Sequence, residues 1–327
     1  MTSPIYECDT PIFEPLNRSD LPAELRADIR KLHRIEPARA LRALSFAALW
    51  GAGGWAALAF DAWPIRLAAT MAIAFGLIGL SVLMHEGSHG LVFQSRRWSR
   101  VLGYFCGLPV LISCSAYRAL HLRHHAHERT AEDPDDVESQ PRRGLPLVAL
   151  YYVLLIVGTY AYLPHVAVKG LGYASRRERA LIGLEYLGIL TAVALVWWLA
   201  GGATLWRVWL LPIVIAAQLT NLRSIAEHGL TTGGNPFTAS RSVQSNAAVR
   251  YVLCNLNYHL EHHLYPGVPW YNLPELNRLL APFYARAGAS AYRSYTEFYR
   301  DFLRVTRSGV IPNVRLLPEH LREDLCA

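Results

Sequence analysis

The sequence predicts an all-α integral-membrane fold: two transmembrane helical hairpins, re-entrant or interfacial helices between them, and a cytosolic helical cap. Three observations predict it. Hydrophobic residues make up 52% of the 327-residue chain and the mean hydropathy is +0.17, unusual values for a soluble enzyme. Apolar residues gather into stretches of about 20, the length that crosses roughly 30 Å of hydrocarbon. Nine of the 13 histidines lie just outside those stretches, in three clusters and one single.

The first hairpin joins Leu41 to Phe60 with Ile65 to Met84 through Asp61-Ala62-Trp63-Pro64, a turn carrying a helix breaker and an interfacial aromatic. Arg26, Arg30, Lys31, Arg34 and Arg39 precede it, and Arg96, Arg97 and Arg100 follow. By the positive-inside rule both open ends face the cytoplasm. The second hairpin pairs Leu181 to Ala200 with Ala203 to Leu222 around Gly201-Gly202, flanked by Trp197, Trp198, Trp206 and Trp209 as an aromatic belt at the far interface. Arg176, Arg177, Arg179 and Arg223 mark its open ends as cytoplasmic.

Two further apolar stretches, Val101 to Ala116 and Leu145 to Val168, must not cross singly, because one crossing would strand some histidines on the opposite face. Gly107 and Pro109 interrupt the first, and Pro146, Pro164 and His165 the second. Both are expected to be re-entrant or interfacial, with a fifth span as the alternative for the second. From Arg223 onward the chain is polar and aromatic, with a turn at Gly233-Gly234-Asn235-Pro236 and amphipathic helices at Leu273 to Tyr284 and Ala291 to Val305. The expected organisation is a cytosolic segment over 1–40, a membrane stem over 41–222 and a cytosolic cap over 223–327.

Charge and cysteine usage narrow the partners. A net charge of +7 and a pI near 9.2 come from Lys and Arg beside apolar segments, outside any nucleic-acid motif, and read as cytoplasmic anchoring. The mixed, charged first forty residues do not resemble a cleaved signal. Cys8, Cys106, Cys114, Cys254 and Cys326 are scattered and form no Cys-x-x-Cys pair, so any metal is held by nitrogen.

The histidines carry the chemistry. They read His85-Glu86-Gly87-Ser88-His89, His121-Leu122-Arg123-His124-His125 and His259-Leu260-Glu261-His262-His263, with His228 between the second and third clusters. Spacings of i, i+3 and i+4 turn several imidazoles to one side of each helix, where they converge on metal. Eight or nine such ligands exceed the capacity of one ion, so two metals are expected. Structural zinc stops at four ligands, and soluble di-iron bundles repeat a Glu-x-x-His pair that occurs here once, as Glu86 and His89. Iron is favoured over zinc for oxidation, since zinc has no redox chemistry. A zinc-dependent membrane hydrolase would match His85-Glu86-Gly87-Ser88-His89 literally but needs only three protein ligands. A metal transporter would place ionisable ligands along a path inside the spans, which hold few charges.

In these boxes the chain resembles the integral-membrane fatty acid desaturase superfamily, which also contains lipid hydroxylases and carotenoid ketolases. The boxes match in order and placement as His85/His89, His121/His124/His125 and His259/His262/His263, supported by Asp133-Pro134 and Asn257 through Pro266. The resemblance covers roughly residues 41–280. It implies a centre of two iron ions (Fe2+) at the cytosolic membrane surface, activating dioxygen and removing hydrogen from an unactivated C–H bond of a lipid chain. It also implies that His228, in Glu227-His228-Gly229, completes the metal shell. Asn221, Asn255 and Asn257 are open candidates for a water-mediated contact. Acyl desaturation is the expected outcome, with hydroxylation or ketolation on the same scaffold as the alternative.

Other residues carry weaker expectations. His127 is read as a second-sphere or surface group, and His33, His165 and His320 as structural or solvated. Glu86, Glu227 and Glu261 either orient ligand imidazoles or act as caps. Asp133, Asp135, Asp136, Arg142 and Arg143 read as a solvated polar loop. The chain contains no cytochrome-b5-like, dinucleotide or cysteine-cluster motif, so a separate donor protein such as ferredoxin, rubredoxin or a cytochrome b5-like protein must supply electrons.

Overall fold

The computed structural model describes residues 18–135, 147–231 and 235–308. The expected sites at Cys8, Asp136, Arg142, Arg143, Gly233, Gly234, His320 and Cys326 lie outside them. An N-terminal helix, α1 (Ala23–Lys31), precedes α2 (Arg42–Ala59) and α3 (Trp63–His89). Pro64 starts α3 where no helical N–H is needed, and α2 and α3 form a helical hairpin in which α3, but not α2, is long and apolar enough to cross a membrane. The sequence reading ended this span at Met84; α3 instead continues to His89, and Gly90 in left-handed conformation closes it. The first histidine box is therefore the last turn and a half of a membrane helix.

The next segment is sharply folded. α4 (Arg96–Gly107) and α5 (Cys114–His127) meet at 103° across the break around Pro109, so this stretch is not a straight crossing. Gly87 lets α3 and α4 touch: a Cβ there would lie 2.6 Å from Gly103 Cα and 2.7 Å from Ser99 O. α6 (Leu147–Tyr173) bends by 86° between Gly158 and Tyr160, so it too is not a straight crossing.

α7 (Arg176–Leu205) and α8 (Leu211–His228) form the second hairpin. Together with the π-turn at Trp206–Leu210 they make one run of 53 residues, which would span roughly 80 Å if straight. Both ends, however, return to α5: Glu178 pairs with Arg118, and the His228 ring stands 4.9 Å from that of His124. The reversal falls at Gly201, whose φ of 81° and ψ of 160° break the helix at the expected Gly-Gly. The π-turn holds the hairpin against its neighbours, because Val208 O accepts from Trp50 Nε1 (2.8 Å) and Trp209 Nε1 donates to Pro109 O (2.6 Å).

α3 and the run from Arg176 to His228 are each long and apolar enough to cross a membrane, and the two bent pairs raise the number of candidate spans to four. The outward faces carry lipid-compatible side chains such as Leu184, Leu187, Leu190, Trp197 and Trp198. This is an all-α integral membrane protein.

Beyond α8 the cap contains α9 (Ala247–Val252), α10 (His259–Leu264), α11 (Leu273–Ala287) and α12 (Tyr295–Ser308). The last expected helix starts four residues late, because Ala291 and Tyr292 pair in parallel with Ser242 and Val243 as a two-residue strand. One core joins stem and cap, running from Leu77 and Leu83 of α3 to Leu260 of α10 and Leu273, Leu276 and Leu280 of α11. That shared core fixes the third histidine box relative to the first.

Candidate metal centre

Four helices deliver the nine histidines. α3 brings His85 and His89, α5 brings His121, His124 and His125, α8 ends on His228, and α10 carries His259, His262 and His263. His121 and His125, one turn apart, share a face of α5, while His124 points from its flank.

The rings separate into two sets. His85, His89, His121, His125 and His262 form the first, with ligand atoms all within 4.8 Å of one another. Its Nε2 atoms contact in sequence: His89 to His121, His121 to His125, and His125 to His262, each at 3.0 Å. In the second set, His124, His228 and His263 gather with Glu128, and His259 Nε2 lies 2.7 Å from His228 Nε2 and 3.1 Å from His263 Nε2.

Such contacts place nitrogen lone pairs against one another unless a proton or a cation lies between them. Burial disfavours protons: it pushes the His259 and His262 imidazoles well below their ordinary pKa, reinforced by the neighbouring histidines. A cation resolves the conflict. Two nitrogens at right angles on one ion with bonds of about 2.1 Å stand about 3.0 Å apart. His85 Nε2 is buried without a hydrogen-bond partner, as a ligand nitrogen would be. The donor set therefore fits metal ions, one in each set.

The family model for fatty acid desaturase matches residues 61–295, which include all nine histidines. The chain belongs to the fatty acid desaturase family. The sphingolipid delta(4)-desaturase DES1 of Drosophila melanogaster is 24% identical over 252 residues, 73% of this chain and 74% of that protein. The beta-carotene ketolase of a Paracoccus species is 29% identical over 208 residues, 60% and 73% of the two chains. The beta-carotene 4-ketolase of Protosiphon botryoides is 22% identical over 240 residues, 67% of this chain and 53% of that one. Membership makes this desaturase-family protein an oxygen-dependent oxidoreductase.

Carboxylates stand behind the rings. Glu86 Oε1 lies 3.2 Å from His85 Nδ1 while its other oxygen accepts from Trp270 N. Glu227 is held first by Arg223, at 2.7 Å, and stands 3.5 Å from His259 Nδ1. Glu261, the third expected candidate, touches no histidine; it accepts from Asn277 Nδ2 at 2.6 Å and bonds Ser242 and Tyr284, anchoring α10 to the cap.

Two orienting residues depart from the sequence reading. Asp133, expected in a solvated loop, is 1% exposed, and its oxygens lie 2.9 and 3.1 Å from His124 Nδ1. Burial opposes its charge, but the hydrogen bonds it accepts from His124 and from the N–H groups of Asp135 and Arg129 outweigh this and hold the carboxyl below its usual range. Glu128, not singled out in the sequence, lies 3.1 Å from His263 Nδ1 and 3.7 Å from His228 Nδ1. Burial would raise its pKa as well; His263 beside it turns the shift downward. The only sequence signal was its place one residue beyond the histidine-rich helix.

The remaining groups stand apart from both sets. His127 Nδ1 faces Glu132 at 3.1 Å, His165 Nε2 faces Asp135 at 3.2 Å, and His33 Nδ1 contacts Ile29 O. Asn221, Asn255 and Asn257 bond the backbone oxygens of Leu154, Trp270 and Val243. Cys106, Cys114 and Cys254 are free and buried.

Proposed function

We propose that this protein is a di-iron acyl-lipid desaturase whose ligands are His85, His89, His121, His125 and His262 for one ion and His124, His228, His259 and His263 for the other. The observation that carries the reading is the convergence of the nine imidazoles into two nitrogen-lined sets. A zinc hydrolase needs about three protein ligands and one ion; two histidine sets exceed that need.

Two iron ions held there would supply the redox chemistry that activates dioxygen. The balanced reaction is R–CH2–CH2–R′ + O2 + 2 e− + 2 H+ → R–CH=CH–R′ + 2 H2O. The chain's own residues orient and shield. Asp133, Glu128 and Glu86 fix the tautomer and direction of the rings before them, which raises ligand basicity. Tyr117 stacks on His121, with ring centroids 4.8 Å apart, and covers the first set. Holding one carbon of the chain beside the metals is positioning, not acid–base work.

The membrane sidedness follows from charge: basic residues flank the open ends of both hairpins, which favours a cytoplasmic location for the histidines. A separate donor protein, a ferredoxin, rubredoxin or cytochrome b5-like protein, delivers electrons on that side. The stem and cap work as one unit, since the third box and the first share a core.

A second reading, oxygen insertion at a carotenoid or lipid carbon, is favoured by the 29% identity to a beta-carotene ketolase. Mass spectrometry of lipid extracts from cells expressing the wild type or a His262→Ala/His263→Ala variant, with donor proteins supplied, separates the two. Loss of two hydrogens only with the wild type establishes desaturation, and gain of oxygen establishes the ketolase or hydroxylase reading. If the variant matches the wild type, both are rejected.

A further inference from the structure

An open surface pocket lies outside the histidine sets, at the start of α2, lined by Arg42, Ala247, Arg250, Tyr251, Asn255 and Trp270. Arg42 is fixed in place: its guanidinium carbon lies 3.9 Å from the Tyr251 ring centre and 4.9 Å from that of Trp270, and Nη1 donates to Tyr251 O at 3.3 Å. A guanidinium stacked on rings keeps its remaining N–H donors in its own plane. Arg250 brings a second positive charge from α9. Among the described residues neither guanidinium pairs with a carboxylate.

The backbone beneath is a helix C-cap: Cys254 and Asn255, with φ of 45° and 55°, follow the end of α9, and Cys254 N donates to Tyr251 O. The turn closes through Asn255 N to Arg250 O at 2.9 Å, which aims Arg250 and Tyr251 back toward Arg42. Asn255 also donates to Trp270 O. Two guanidinium groups beside two aromatic rings make a pocket suited to an anion.

Its surroundings say which kind. Leu41 and Leu44, beside Arg42, are 64% and 65% exposed, and Tyr251 Oη bonds Ser45 one turn into the span. The pocket thus sits where hydrocarbon gives way to water. We propose that it binds the phosphate group of an anionic phospholipid, with Arg42 and Arg250 on the phosphate oxygens and the acyl chains along Leu41 and Leu44. The site is also wired to the metal centre. Trp270 forms one wall, its N–H donates to Glu86, and Glu86 orients His85. A lipid seated there steadies the first histidine set from outside.

The test reads binding, not turnover, so it stands independently of the reaction proposed above. Detergent-purified full-length protein is titrated with phosphatidylglycerol, with phosphatidylcholine and with inorganic phosphate, following thermal unfolding and lipid retention by native mass spectrometry. Phosphatidylglycerol is expected to bind more tightly than phosphatidylcholine, whose choline would face two arginines. Arg250→Gln is expected to weaken it roughly tenfold, the loss of one charge-assisted contact, and Arg250→Lys to restore much of it. Arg250→Gln should keep the wild-type metal content, which shows that it has folded. Equal binding of both lipids, or unchanged affinity in folded Arg250→Gln, overturns the proposal. Inorganic phosphate matching phosphatidylglycerol overturns the lipid source and reassigns the pocket to soluble phosphate compounds.

Discussion

Asp133 and His124 form a buried pair in which both carboxylate oxygens lie within 3.1 Å of one ring nitrogen, Nδ1. The pair lies nine positions apart in sequence but only across the turn that ends α5, where Arg129 N and Asp135 N also donate to the carboxylate. With Nδ1 engaged, Nε2 is left to face the second set. Asp133→Ala removes the group that fixes the ring, and loss of such a partner lowers metal affinity by about 10–100-fold. Elemental analysis of the purified variant should show metal content falling from two ions toward one, with the first set still filled. Two retained ions and full turnover would falsify the orienting role.

Glu128 stands beside other rings of the same set, 3.1 Å from His263 Nδ1 and 3.7 Å from His228 Nδ1. Glu128→Gln keeps the shape and removes the charge, so it should weaken the second ion less than Asp133→Ala does. Glu128→Ala should weaken it comparably, because two rings lose their neighbour. Competition with a chelator of known affinity measures the order, and an unchanged affinity in Glu128→Ala rejects the assignment.

The contrast between Asp133 and the histidines shows what a sequence can disclose. The histidines were legible because repeated spacing on helices is a local property, and each box is self-contained. The hairpins were legible because span length and the Gly201 break are local too. Asp133 and Glu128 were not, since their roles depend on how the chain turns after α5 and where α8 and α10 arrive from more than 90 residues away. Glu261, for which the sequence left an orienting and a capping role open, adjoins a histidine in sequence, yet on the helix it points to Ser242, Asn277 and Tyr284. The sharp bend in α6 also escaped detailed reading, because Pro164 lies beyond the bend at Gly158 and Tyr160.

Gly87 tests whether the first box is built around close helix contact. A methyl group there meets Gly103 Cα at 2.6 Å and Ser99 O at 2.7 Å, both backbone atoms with little room to retreat. Gly87→Ala should destabilise the protein by about 1–3 kcal/mol through overpacking, and disturb metal binding at His85 and His89. Gly183→Ala is the control, since nothing lies within 4 Å of its Cβ position. Thermal unfolding in detergent should separate the two variants, and similar midpoints would remove the packing argument.

Glu185 is a carboxylate within an apolar helix, and its contacts explain its presence there. It accepts from Ser113 Oγ at 2.6 Å, Ser115 N at 3.0 Å and Ser115 Oγ at 2.7 Å, all at the start of α5. A charge beside hydrocarbon is retained only with partners of this kind, and a carboxylate at a helix N-terminus also meets the positive end of the dipole. α5 contributes His121 and His125 to one set and His124 to the other, so its position governs both. Glu185→Ala should cost on the order of 2–4 kcal/mol, from hydrogen bonds worth about 1.5–3 kcal/mol each to a charged group, partly regained by the freed serines. Unlike Asp133→Ala, it should lower occupancy of both metal sets together, while Glu185→Gln, which keeps an acceptor oxygen, should lie between Glu185→Ala and the wild type. Metal content near one ion with the first set intact would show that Glu185 does not position α5.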